Sequence, residues 1–277
     1  MVDAHVHLFP PRLFEAIWAW FEQHGWPVRY RLHAGQVIEF LVKRGVSRIV
    51  ALHYAHKPGM ARAMNAWMAD LCQVQPSVTG MATVFPGETG AVAIVEDAFR
   101  AGLRGVKLHC HVQCLPIDDR DVMEILAVCA RWGLPAVVHA GREPKSPAYR
   151  CDPHLICHVD RTAAVLAALP TLNLCVPHLG ADEFVAYGQL LERHENLWLD
   201  TTMALADYLP VSDNEAPWRV LDSRPDRLVY GTDFPNLPYA WDRELVRILE
   251  RRLGDERLAA LLGGNADVLH PAPVVAL

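Results

Sequence analysis

Two histidines, His5 and His7, lie one residue apart in an apolar segment at the start of the sequence. In a β-strand, alternate side chains point to the same face, so the two imidazoles would project together. Two such rings can hold one cation, with nitrogen atoms about 2.0–2.1 Å from it. Because the same spacing also occurs in strands that bind nothing, the pair predicts a metal site only if other strands supply further ligands.

The elements that could bring such ligands together are predicted from the apolar pattern. Eight short apolar segments are predicted strands: 2–8, 48–53, 79–85, 104–109, 135–140, 172–178, 196–202 and 227–233. Amphipathic segments separate them and are predicted helices: 34–45, 58–74, 88–102, 120–133, 160–169 and 181–194. This alternation predicts an α/β protein whose parallel strands close into a (β/α)8 barrel, and an open doubly wound sheet is the alternative.

The chain shows no linker and no break in composition, so residues 1–277 are predicted to form a single domain. Residues 8–33 form a long connection after the first strand and are rich in Trp, Phe and Pro. This insert could be a helical lid, a helix packed on the barrel, or a contact between subunits of a homo-oligomer. These three interpretations stay open at the level of the sequence.

Further polar residues fall at the C-terminal ends of the other predicted strands, where (β/α)8 barrels carry their active sites. Lys107 and His109 end the fourth strand, His139 the fifth, His178 the sixth and Asp233 the eighth. Taken singly, a histidine here could be a hydrogen-bonded core residue, and Asp233 could cap a turn. Buried together without partners, such groups cost free energy, so a bound cation is the simplest prediction.

The composition of the chain argues against some classes of function. The net charge of −6 argues against nucleic acid or an anionic membrane as a partner, and no apolar stretch is long enough to span a membrane. The first residues lack the basic region of a signal peptide, so we expect a cytoplasmic protein. The seven scattered cysteines are expected to be free thiols; Cys151 could line the barrel mouth, whereas Cys157 is expected to pack.

The chain resembles the amidohydrolase superfamily and, within it, the branch called amidohydrolase family 2. The motifs that carry the resemblance are, in order, DAHVHLFP, RGVKLHCHVQ, VVHAGREP, CVPHLGADE and RLVYGTDFP, and they cover nearly the whole chain. The resemblance implies one divalent metal ion, most often zinc. Its ligands would be His5, His7, His139 and Asp233.

The resemblance also implies a reaction. A metal-bound water would hydrolyse a small lactone, ester or amide, with Asp233 as the general base and His178 binding the metal, the water or the substrate. Other members of the branch use a similar site for non-oxidative decarboxylation of an aromatic or unsaturated carboxylic acid, which is the alternative. A barrel that binds metal without catalysis is the non-enzyme alternative. Nucleases of the TatD group differ at Lys107 and at the segment 231–233.

Lys107 and His109 are two residues apart and would share a face, so both are predicted to contact the substrate. In binuclear members of the superfamily the corresponding lysine is carbamylated and bridges two metals. The family 2 branch implies a single metal here instead.

Arg142 follows the fifth strand and would suit a substrate carboxylate through a bidentate contact, or it could pair with Glu143. A second, zinc-type site built from His109, His111 and Cys114 is also conceivable. It lacks the four ligands that a structural zinc site needs, so contact with the substrate is the preferred interpretation of these histidines.

Overall fold

The computed structural model describes residues 1–208 and 210–271, and its strands form a parallel barrel. The strands are β1 (Val2–His7), β2 (Arg48–Leu52), β3 (Val78–Gly80), β4 (Val106–His109), β5 (Ala136–His139), β6 (Leu174–Val176), β7 (Leu197–Asp200) and β8 (Leu228–Val229). All strand residues are buried, as expected for parallel strands covered by helices. Each strand falls within or beside one of the eight predicted segments, which confirms the (β/α)8 barrel.

Helices surround the barrel. They are α1 (Pro11–His24), α2 (Ala34–Val42), α3 (Ala61–Val74), α4 (Ala91–Arg100), α5 (Cys110–Gln113), α6 (Arg120–Trp132), α7 (Pro153–Ile156), α8 (Val159–Ala168), α9 (Phe184–Arg193), α10 (Ala216–Ser223), α11 (Arg243–Glu250), α12 (Asp255–Ala259) and α13 (Asn265–Leu269). Short 3-10 turns at His178–Glu183 and Pro225–Arg227 and a π-helical turn at Ala260–Gly264 complete the set.

Local chemistry explains where these helices begin and end, and α6 is an example. The Asp119 carboxylate accepts a hydrogen bond from the N–H of Asp121 at the first turn. Gly133 follows the last turn with φ 63°, a conformation that glycine adopts without a steric penalty. None of the helices in the described part of the chain is long and apolar enough to cross a membrane.

The barrel closes along a seam between β1 and the segment that follows β8, which we call the β1–β8 seam. The N–H of His7 donates to the carbonyl of Phe234 (2.8 Å), and the N–H of Asp233 donates to the carbonyl of His5 (2.9 Å). A single bridge also joins the residues after β3 to β4 and closes the opposite side. Strands β1–β3 and β4–β8 therefore form one continuous wall.

The side chain of Asp3 stabilises this seam through buried hydrogen bonds. Its buried carboxylate accepts hydrogen bonds from the Thr232 hydroxyl (2.7 Å), the Thr232 N–H (3.1 Å) and the His5 N–H (3.2 Å). Gly231 packs so closely here that a Cβ atom would lie 2.6 Å from the Cβ of His5. The start of the chain and the turn after β8 are thus held against each other.

Candidate active site

A cavity of about 460 Å³ opens at the end of the barrel where the strands terminate. Six of the eight predicted site residues line it: His7, Lys107, His109, His139, His178 and Asp233. His5 lies behind Asp233 and is in contact with it. Arg142 does not line the cavity.

His5, His7 and Asp233 form a compact buried group at the β1–β8 seam. The Nε2 atoms of His5 and His7 lie 3.4 Å and 3.0 Å from Asp233 Oδ1. The candidate ligand atoms of the three residues all lie within 4.8 Å of one another. The structure therefore brings together three of the four predicted metal ligands.

A fourth buried residue, Asp200 at the end of β7, fixes the hydrogen of the His5 ring. Asp200 Oδ2 lies 2.7 Å from His5 Nδ1, and a carboxylate can only accept, so Nδ1 carries the hydrogen. Burial lowers the pKa of His5 to about 4, so the ring is neutral and its Nε2 presents a lone pair. Burial alone would raise the pKa of Asp200, but its interactions with His5, including the hydrogen bond from Nδ1, bring that pKa down to about 2.

The lone pair of His5 Nε2 therefore faces the carboxylate of Asp233 across 3.4 Å with no hydrogen atom between them. Burial opposes ionisation of Asp233, but its hydrogen bond and charge interaction with His7 hold its pKa well below the usual range. Two acceptors facing each other in a buried site are unfavourable, and a cation between them removes the conflict. A histidine whose second nitrogen is held by a carboxylate is also the usual arrangement around protein-bound metals. The group fits a divalent metal ion.

His139 and His178 form a second pair of interacting rings. His178 Nδ1 donates to the carbonyl of Thr202 (2.8 Å), and His178 Nε2 lies 3.1 Å from His139 Nδ1. His139 Nε2 lies 3.1 Å from the carbonyl of Glu143. Burial, together with neighbouring charges, holds the pKa of His139 well below its usual value, so only one of its nitrogens carries a hydrogen.

The predicted fourth ligand, His139, is grouped by the structure with His109 and His111 rather than with His5 and His7. The rings of His109 and His139 are stacked, with centroids 4.2 Å apart and planes 7° apart. Nitrogen lone pairs lie in the ring plane, so two parallel stacked rings cannot point at the same cation. This arrangement of three imidazoles is therefore not a second metal site.

Strand β4 ends at His109 and helix α5 starts at once, so the segment 109–114 does not continue as a strand. The turn places His111 against the cavity, where its Nε2 hydrogen-bonds with the carbonyl of Gly141 (2.7 Å). Burial lowers the pKa of His111 to about 4. His111 thus joins His109 in the cavity wall.

Lys107 extends from β4 into the interior and is fully buried. Lys107 is among the residues that line the cavity, and its buried Nζ atom has no hydrogen-bond partner among the described residues. Burial lowers the pKa of Lys107 to about 8, against the opposing effect of Asp200 and Asp233. An amine so placed can meet a polar group of a bound molecule.

Arg142 lies outside the lining of the cavity. Its Nε atom donates to Asp182 (2.9 Å) and lies 3.5 Å from a carboxylate oxygen of Glu183. The predicted contact with a substrate carboxylate finds no support from this position. The alternative partner named from the sequence, Glu143, is not the partner either.

The cavity also has an aromatic wall, which no motif in the sequence marks. Ring centroids run in one contiguous series from His111 to Tyr149 (5.2 Å), Trp20 (5.4 Å), Phe21 (5.3 Å) and Trp26 (5.0 Å). Three of these rings come from α1 and the residues after it. The insert 8–33 therefore supplies a wall of the cavity.

Two cationic side chains border the same cavity on the loop after β5. Lys145 is paired with Asp152 (2.9 Å), whereas Arg150 has no carboxylate partner among the described residues. Neither residue stood out in the sequence, because a lysine or arginine in a loop is usually a solvated surface residue. Asp200 did have a signal, since it is a polar residue near the end of the predicted strand 196–202, and it ends β7 in the structure.

Comparisons with known proteins identify a matching family and a shared fold. A family described as "Amidohydrolase" matches residues 2–269. No curated protein matches the chain.

Solved structures match the chain along its length. An uncharacterized TIM-barrel protein from Bordetella bronchiseptica has 19% identity and a TM-score of 0.74, covering 97% of this chain and 98% of that one. The 5-carboxyvanillate decarboxylase of Sphingomonas paucimobilis has 15% identity and a TM-score of 0.71, covering 98% and 99%. A probable 2-pyrone-4,6-dicarboxylic acid hydrolase from Acinetobacter baumannii has 14% identity and a TM-score of 0.64, covering 97% and 98%. At these identities the likeness shows the shared fold.

Proposed function

Since the chain belongs to the amidohydrolase family, whose members are enzymes, we propose that it is a metal-dependent hydrolase of a small lactone, ester or amide. The observation that carries the proposal is the buried apposition of the His5 lone pair and the Asp233 carboxylate. That apposition calls for a cation at the point where the cavity reaches the barrel interior. The family resemblance makes zinc the first metal to test.

His5, His7 and Asp233 would hold the ion. His139 is proposed as the fourth ligand from the family resemblance, and its present contacts with His178 and Glu143 would then have to change. A bound divalent ion would supply Lewis acidity and lower the pKa of a water molecule to about 7.

The remaining steps belong to side chains of this protein. Asp233 is ionised and borders the cavity, so it can accept the proton of the attacking water. His178 also borders the cavity and can hydrogen-bond water or substrate through Nε2, which its bond to Thr202 leaves as the acceptor. The buried amine of Lys107 can stabilise negative charge that develops on the substrate.

Decarboxylation of an aromatic or unsaturated carboxylic acid is the second candidate, and the aromatic wall favours it. Rings of Tyr149, Trp20 and Phe21 offer flat apolar faces to a flat substrate. The unpaired guanidinium of Arg150 gives a carboxylate a partner at the same cavity. Both candidate reactions therefore use a small molecule, and a carboxylate is the expected substituent.

The experiment begins with metal analysis of the purified protein, followed by chelation, verified metal loss and reconstitution. The reconstituted enzyme is then assayed against lactones, esters, amides and aromatic carboxylic acids, with acid and carbon dioxide measured separately. Release of acid without carbon dioxide supports hydrolysis, and release of carbon dioxide supports the second candidate. Asp233→Asn should abolish hydrolysis, whereas Asp97→Asn on the exposed face of α4 should leave it unchanged.

Three results would contradict parts of the proposal. Turnover that survives verified metal loss would exclude the metal mechanism. Two equivalents of metal per chain would overturn the mononuclear site. Tight metal binding with no turnover across the panel would favour the non-catalytic barrel.

A further inference from the structure

Two thiols lie against each other beside the cavity. The Sγ atoms of Cys114 and Cys151 are each 3.5 Å from the same acceptor, the carbonyl oxygen of His111. They also interact directly through their side chains. All seven cysteines are free in the structure. The arrangement is therefore a dithiol held on one backbone oxygen.

The backbone at Cys114 points to a role for its side chain. Cys114 ends α5 in the left-handed conformation, with φ 55° and ψ 39°. This conformation is unfavourable for a residue with a Cβ atom, and glycine is the usual residue at such a helix end. Local backbone preference thus does not account for a cysteine at this position, whereas its contact with Cys151 does.

A second pair of thiols provides an internal comparison. Cys110 and Cys157 also interact through their side chains, but both are buried, with 3% and 1% of their surface exposed. Cys114 and Cys151 are only partly buried. A small oxidant can therefore reach Cys114 and Cys151 but not Cys110 and Cys157. Among residues 1–208 and 210–271, no group of three candidate metal ligands includes a thiol, so a metal site does not explain the dithiol.

We propose that Cys114 and Cys151 are a modification site that forms a reversible disulfide when the protein meets a peroxide. Hydrogen peroxide first oxidises the sulfur of Cys114 to a sulfenic acid and releases one water molecule. The sulfur of Cys151 then attacks that sulfur, the S–S bond forms, and the sulfenic oxygen leaves as the second water. The two thiols lose two electrons and two protons, and the peroxide gains them.

The order of these steps follows from the environment of the two sulfurs. Burial, and secondly contact with Cys114, raises the pKa of Cys151 to about 12. Cys151 is therefore little ionised at neutral pH, so it is assigned the second step rather than the first.

The disulfide would tie the cavity wall to α5. Cys151 directly follows Tyr149 and Arg150, which line the cavity, and Cys114 directly follows α5. Oxidation would therefore fix the loop after β5 to the element that carries His111. The formation of the bond does not depend on the proposed function.

The test is peroxide treatment of the full chain, alkylation under denaturing conditions and peptide mapping. We expect the number of titratable thiols to fall from seven to five, an intact mass lower by about 2 Da, and a linked Cys114–Cys151 peptide that a thiol reductant separates. Cys114→Ser and Cys151→Ser should each abolish the link, whereas Cys72→Ser, on α3, should leave it intact. Independent oxidation of the two sulfurs to sulfinic acids, or a Cys110–Cys157 link in equal amount, would overturn the proposal.

Limited proteolysis tests the tether without any activity assay. Trypsin cleaves after Arg150, which is exposed and adjacent to Cys151. We expect oxidation to suppress this cleavage in the wild-type protein and not in Cys114→Ser. Equal cleavage before and after oxidation of the wild type would contradict the tether.

Discussion

Asp200 connects His5 on β1 with His178, which follows β6. Its Oδ2 atom accepts the hydrogen of His5 Nδ1 (2.7 Å), and its Oδ1 atom accepts the backbone N–H of His178 (3.1 Å). The residue is almost fully buried, and its carboxylate is ionised. One side chain thus sets the ring orientation and the hydrogen position of a proposed ligand, and fixes the backbone of the residue proposed to bind water or substrate.

Asp200→Asn is expected to weaken metal binding about 10- to 100-fold, because the amide keeps the shape of the carboxylate but removes the charge that orients His5. Competition with a chelator of known affinity measures the change. The control is Asp97→Asn on α4, whose exposed carboxylate pairs with Arg62 and Arg100. If both variants bind metal as tightly as the wild type does, Asp200 does not support the site.

Helix α1 shows how one element serves both the core and the cavity. Its residues Phe14, Ile17 and Trp18 are buried against the barrel, while Trp20 and Phe21 line the cavity. Pro11 begins the helix at a position where its missing N–H costs nothing. Packing of the first group therefore holds the second group rigidly over the proposed metal group.

Trp20→Ala is expected to raise KM about fivefold and to change kcat less, because an aromatic contact of about 1 kcal/mol is lost from substrate binding. Steady-state kinetics on the substrate found by the panel measures both constants. Trp132→Ala on α6, where the ring packs on Phe99 and is partly exposed, is the matched control. A loss confined to kcat would show that Trp20 does not bind substrate.

The order of strands and the group His5, His7 and Asp233 could be predicted from the sequence, because parallel strands are short apolar runs and their polar ends converge. The structure at the end of β4 could not be predicted from the sequence. There, the side chain of Gln113 accepts the N–H of His109 (3.1 Å) and donates to the carbonyls of Ala55 (3.0 Å) and Val84 (2.8 Å). These contacts with distant segments hold α5 in place and bring His111 to the cavity.

The aromatic wall of the cavity could not be predicted from the sequence either. Trp20 lies in an amphipathic helix, and nothing in its local pattern distinguishes a residue facing a cavity from one facing the core. Tyr149 lies in a loop whose path depends on its contact with Trp20 (5.4 Å). Sequence periodicity encodes burial, and the position of a cavity depends on how separate elements meet.

Seven buried histidines, distributed over the molecule, are held neutral because burial penalises the charged ring. The pKa is lowered to about 4 for His5 and His111 and to about 3 for His53 and His270. It is also lowered for His109, His139 and His178. Between about pH 6.5 and pH 4 the unfolded chain therefore binds more protons than the folded protein does, so stability rises with pH in this window.

We expect the unfolding temperature of the metal-depleted protein to fall steeply as the pH drops from 6.5 to 4, with each such histidine contributing up to about 1.4 kcal/mol per pH unit. Thermal unfolding at several pH values measures the slope. His53→Gln should reduce the slope by about one proton, whereas His24→Gln at the exposed end of α1 should not. An unfolding temperature that stays constant across the window would contradict this account.

The β1–β8 seam gives the proposed ion a mechanical role as well as a chemical one. His5 and His7 belong to the first strand, and Asp233 follows the last, so an ion held by all three would bind the two sides of the seam together. A cross-link of this kind would close a loop that contains almost the whole barrel. Cross-links that close long loops restrict the unfolded chain most. Chelation should then loosen the closure itself, and faster amide hydrogen exchange at His7 and Asp233, whose N–H groups cross the seam, would report it.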